Sequence, residues 1–114
     1  MTALPALYLQ EAATWTQEHF EVSVPVNVSY ELLEEILAKR LEILISENFQ
    51  QFIFLLYRTD VSEKRVKQIL ENAAINTTDP YKSIAALIIE RQLQKIASRA
   101  TYKQDNLPDD EERW

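Results

Sequence analysis

The chain has 114 residues, a formal net charge of −6, no cysteine and no glycine. That length supports one domain with a real core, and the missing cysteines exclude disulfides, thiolate metal sites and cysteine nucleophiles. The missing glycines exclude phosphate-cradling loops, dinucleotide fingerprints and strained nucleophile elbows, all of which need close backbone approach or positive φ.

Residues 4–20 carry the first predicted helix. Pro5 suits its first turn, and Leu7, Tyr8, Ala12 and Trp15 form its expected buried face. No Lys or Arg precedes these apolar residues, unlike a signal peptide, and the longest unbroken apolar run is far too short to span a bilayer. A cytoplasmic location is the expectation. Residues 21–28, EVSVPVNV, then alternate valine with polar residues or proline. This period-2 pattern predicts an extended segment, and Pro25 bars it from a central strand. Its valines either lie over the helices or form an edge that pairs with a second copy.

A second helix is expected over 30–46, with Ser29 as N-cap and Leu33, Ile36, Leu37, Leu41, Leu44 and Ile45 as its stripe. The stretch 48–58, NFQQFIFLLYR, is the most apolar of the chain. Phe49, Phe52, Ile53 and Leu56 share one helical face, while Phe54, Leu55 and Tyr57 fill much of the other. A helix apolar nearly all round needs cover on several sides, so this one is expected at the centre of the fold. With no glycine available, Asn48 is the expected left-handed residue between the two helices, with Asn72, Asn76 and Asn106 at similar candidate ends.

Asp60 or Ser62 can cap a fourth helix over 63–73, followed by a polar loop at 74–78. Asp79 and Pro80 then open the longest helix, 80–102. Ile84, Leu87 and Ile88 make its first buried patch, and Ala85, Ile89, Leu93, Ile96 and Ala100 run close to a heptad seam. Arg91, Lys95, Arg99 and Lys103 recur every fourth residue as a basic stripe. The expected organisation is a single helical domain, 1–104, with an acidic flexible tail, 105–114. Its architecture is an all-α, compact, mostly antiparallel bundle of four to five helices.

Charge is unevenly spread. Residues 1–28 hold three acids and no base, and 29–48 hold five acids against Lys39 and Arg40. Residues 49–104 reverse this with nine bases against five acids, before the acidic tail. An acidic half can face a basic one, within the fold or between copies.

No motif specifies chemistry. A two-metal helical bundle draws a Glu-x-x-His pair from each of two helices, whereas this chain has one histidine, His19, with Thr16 three residues before it. Glu31, Glu34, Glu35 and Glu42 read as a solvated face rather than a carboxylate metal site. His19 beside Glu18 or Glu21 reads as a capping or surface residue rather than a proton-transfer pair. The expectation is therefore a non-enzyme without cofactor or metal. Its function would be that of a small protein-binding or adaptor module, alone or as a homodimer, using Ile89, Leu93 and Ile96 flanked by Arg91, Lys95 and Arg99. The alternative is a helix-turn-helix DNA-binding regulator built from 49–73. Lys64, Arg65, Lys67 and Gln68 would meet base edges and Arg58 a phosphate. Against that alternative stand the acidic balance of the whole chain and Glu63 at the head of the reading helix.

Overall fold

A computed structural model describes the backbone of residues 6–105 and the side chains of 7–101. The expectations for Leu4, Pro5, Asn106 and the tail at 106–114 lie outside the described residues, as does the side chain of Lys103. Five helices follow one another: α1 Ala6–Phe20, α2 Tyr30–Glu47, α3 Phe49–Thr59, α4 Glu63–Asn76 and α5 Tyr81–Asp105. They form an all-α bundle with no strand among the described residues.

Short polar side chains start the helices. The Ser29 hydroxyl accepts from the Leu32 amide of α2 at 3.1 Å, and the Ser62 hydroxyl from the Arg65 amide of α4 at 3.3 Å. Asp79 accepts from the Tyr81 amide at 2.7 Å, while the Pro80 carbonyl receives the first α5 bond, from Ile84. Each cap satisfies a donor with no partner inside its helix.

Asn48 corrects one expectation. It is not left-handed, standing at φ −150° and ψ 70°, because it serves two helices at once. Its amide donates to Leu44 and ends α2, and its side-chain oxygen accepts from the Gln51 amide and begins α3. An N-cap requires non-helical backbone, and here that requirement outweighs the turn. The left-handed residues are instead Glu21, Asn27, Asp60 and Thr77. Asn72 and Asn76 are helical, since α4 runs three residues past its expected end. Thr77 then closes it, and both its amide and that of Thr78 donate to the Ala73 carbonyl.

The segment between α1 and α2 lies over the helices. Its amides at Val24 and Asn27 donate to the side chains of Gln17 and Gln10 on α1, at 2.9 and 3.2 Å. Val28 is buried, Val22 and Val24 are half-buried, and Val26 is bare.

The centre of the bundle is α5 against α2, not α3. Helix α5 packs on each of the other four. Its Ile84, Ala85, Ile88, Ile89, Leu93 and Ile96 share one core with Leu33, Leu37, Ala38, Leu41 and Leu44 of α2. Ala12, Ala13 and Phe20 of α1 join it. Full burial of one such Leu, Ile or Phe contributes about 1.5–3 kcal/mol. Helix α3 contributes Phe52, Leu55 and Leu56 to the same core, and Thr59 is buried beside them. Its Phe49, Phe54 and Tyr57 stay exposed and Ile53 half-buried, which reverses the expectation that α3 is wrapped by its neighbours.

Candidate functional site

At 100° per residue, α3 divides into two half-cylinders. Phe52, Leu55, Leu56 and Thr59 point inward and are buried. Phe49, Ile53, Tyr57, Gln50, Phe54 and Arg58 follow one another around the remaining arc. Phe49 is 48% exposed, Phe54 53% and Tyr57 72%, with Ile53 half-buried among them. Three exposed rings of that kind on one short helix, with Gln50 among them, make a surface of the type that marks a contact site. The Arg58 guanidinium lies over the Phe54 ring at 5.1 Å, and Phe49 leans on buried Phe52 with ring centres 5.6 Å apart. Apart from Arg58 the arc is uncharged.

A buried polar knot holds this helix in place. Gln92 of α5, 4% exposed, donates from Nε2 to the Thr59 carbonyl at 3.2 Å. The Thr59 hydroxyl, fully buried, donates to the Leu56 carbonyl at 2.7 Å and accepts from the Val61 amide. Carbonyls in the last turn of a helix lack intrahelical donors, so α5 supplies one from its side. Asp60, left-handed at φ 65°, continues the chain outward and accepts from Arg91 of α5 at 3.3 Å. These contacts fix the end of α3 and leave its outer arc in solvent.

The interface residues expected on α5 lie elsewhere than supposed. Ile89, Leu93 and Ile96 are buried in the chain's own core and offer no surface to a partner, which corrects that expectation. Their heptad-like spacing serves α1 and α2. The basic stripe is partly engaged within the fold: Arg91 pairs with Asp60, and Arg99 with Glu11 of α1 at 3.4 Å. That second pair joins the acidic first half to the basic second one, although an exposed pair contributes only about 0–1 kcal/mol.

Lys95 and Arg99 also border an open groove of about 460 Å³ between α1 and α5, with Leu7, Glu11, Trp15 and Glu18 opposite. His19 packs against Trp15. Its ring stacks on Trp15 at 4.3 Å and its Nδ1–H donates to the Trp15 carbonyl at 2.9 Å. On α2, half-buried Tyr30 donates to Glu90 of α5 at 2.9 Å. Burial, that bond and the charges of Glu90, Glu34 and Glu31 push its phenol well above the ordinary value.

The residues named for DNA contact lie on two helices. Lys64, Arg65, Lys67 and Gln68 are exposed on α4, while Arg58 sits on the α3 arc against Phe54. Helices α3 and α4 each pack on α5. Among the described residues no three His, Asp or Glu side chains converge to hold a metal. No described helix is long and apolar enough to cross a membrane.

No family model, curated protein or solved structure matches this chain. The arc at Gln50, Phe54 and Tyr57 was not among the residues singled out from the sequence. The signal was present in the apolar excess of 48–58, which favours cover by other helices or by a second subunit without saying which residues face outward.

Proposed function

We propose that this protein is a small, non-catalytic protein-binding module whose docking surface is the outer arc of α3. The observation that carries the reading is the exposure of Phe49, Phe54 and Tyr57 on one helix anchored from behind. Large aromatic side chains and arginine are the residue types that dominate binding energy when a partner covers them. A rigid helix presents them with little ordering cost, because the backbone is already fixed. Arg58 adds a guanidinium at the edge of the arc, already stacked on a ring.

The test places a photo-activatable phenylalanine analogue at position 57 in the full chain, expressed in its native cells. Discrete protein adducts are expected from position 57. They should disappear when Phe54→Asp is added and should not form from the exposed position 82 on α5. Equal labelling from 57 and 82, or labelling indifferent to Phe54→Asp, refutes a docking role for the arc.

A further inference from the structure

Resting on that reading of α3, we infer that the occupant of the arc is a second copy of the same chain, with the two α3 helices antiparallel about a twofold axis between Ile53 and Phe54. A twofold contact requires one patch to complement itself, and this arc does so residue by residue. Pairing position i with 107 − i, a sum set by an axis between 53 and 54, maps the set 49, 50, 53, 54, 57 and 58 onto itself.

In that register the Tyr57 hydroxyl stands level with the Gln50 amide of the other copy, a donor opposite an acceptor. Ile53 stands level with Phe54 of the other copy, and each lies within about 1.5 Å along the helix of its own counterpart, apolar against apolar. Arg58, at the C-terminal end of one α3, comes level with the N-terminal end of the other, where Glu47 closes α2. Antiparallel alignment also sets the positive end of each helix dipole beside the negative end of its mate. No like charges meet at the axis, although the whole chain carries −6.

The area is adequate for a weak dimer. Aromatic side chains offer 150–250 Å² each, so the open fractions of Phe49, Phe54 and Tyr57 leave on the order of 400 Å² per copy. With Gln50, Ile53 and Arg58 the two copies together reach roughly 1,200 Å² only when the whole arc is covered, which is the lower bound for a specific interface. Association in the micromolar range is the corresponding expectation.

Sedimentation of the full chain and oxidative cross-linking test the inference together. The parent should shift from 13.3 kDa toward twice that mass as concentration rises. Phe54→Asp should remain a monomer with unchanged helicity and melting temperature at low concentration, since the replaced ring is exposed. The chain has no cysteine, so single replacements report the register. Phe54→Cys should form a disulfide dimer with itself. Gln50→Cys and Tyr57→Cys should each cross-link poorly alone and efficiently when mixed. A parent that stays monomeric to about 1 mM overturns the inference, as does a dimer that survives Phe54→Asp or cross-links without this pattern. Position-57 adducts of a mass other than the dimer, formed by a monomeric parent, would overturn the second copy and leave the docking role of the arc standing.

Discussion

Replacing Gln92 by leucine is the sharpest probe of what positions α3. The two side chains are similar in size, so the swap leaves little cavity. The Thr59 carbonyl, however, remains in place and loses its donor at 3.2 Å. A buried acceptor stripped of its partner costs about 1–3 kcal/mol, offset in part by the more apolar side chain on α5. A net loss of about 1–2 kcal/mol is expected, which lowers the urea midpoint by roughly 0.5–1 M for a slope of about 2 kcal/mol per M. Because the amide caps the last turn of α3, amide hydrogen exchange should quicken most in residues 56–61, ahead of α2. The companion Arg91→Gln removes an exposed pair with Asp60 and should cost at most about 1 kcal/mol. An unchanged midpoint for Gln92→Leu, or exchange that quickens evenly through the bundle, would refute the argument that this amide holds α3.

Three further outcomes follow from other parts of the fold. Thr77 is β-branched and left-handed at φ 56°, a conformation costing roughly 1–2 kcal/mol outside glycine. Thr77→Asn should therefore raise stability by about 0.5–1 kcal/mol, asparagine tolerating that region better; a fall in melting temperature contradicts this. The raised phenol of Tyr30 makes stability pH-dependent: above about pH 10 the unfolded chain ionises Tyr30 while the fold keeps it protonated, so its contribution is full below that pH and declines as pH rises toward the elevated folded value. Tyr30→Phe should lose less stability than the parent between pH 9 and 11, within about 1 unit either side of the ordinary phenol value, and parallel melting curves for the two proteins would dismiss the effect. Leu93→Glu puts a carboxylate into the core beside α2 and should abolish cooperative unfolding; a folded, equally stable variant would remove Leu93 from the core.

The helices were legible where the signal is local. Ser29, Ser62 and Asp79 cap where their position ahead of an apolar-periodic run places them, because one short side chain and one amide three residues away suffice. The left-handed positions were not legible, for a reason specific to this composition. Where glycine is present it marks such positions by its low cost; where it is absent, any residue at a turn bears a similar penalty and tertiary context chooses. That choice fell on Glu21, Asn27, Asp60 and Thr77, only one of them an asparagine. Asn48, the expected candidate, was occupied by capping α3. The end of α4 was misplaced because residues 74–76 are polar or exposed, although nothing in them breaks a helix before Thr77.

Which helix lies at the centre could not be read from apolar content alone. Periodicity states which residues share an arc; it does not state which arc meets the core. In α3 both half-cylinders are apolar enough to be buried, and the decision rests on contacts far away in sequence. Thr59 belongs to the arc of Phe52, Leu55 and Leu56, and Gln92, 33 residues on, binds its carbonyl. Once that bond is made, Phe54 and Tyr57 must face outward, 100° per residue permitting no other outcome. The single-residue link at Asn48 and the three-residue link at 60–62 add a second constraint. They tie an 11-residue helix to the ends of α2 and α4, leaving no slack for it to pass between the longer elements. The apolar surplus of α3 is therefore the cost of presenting rings at the edge of the bundle.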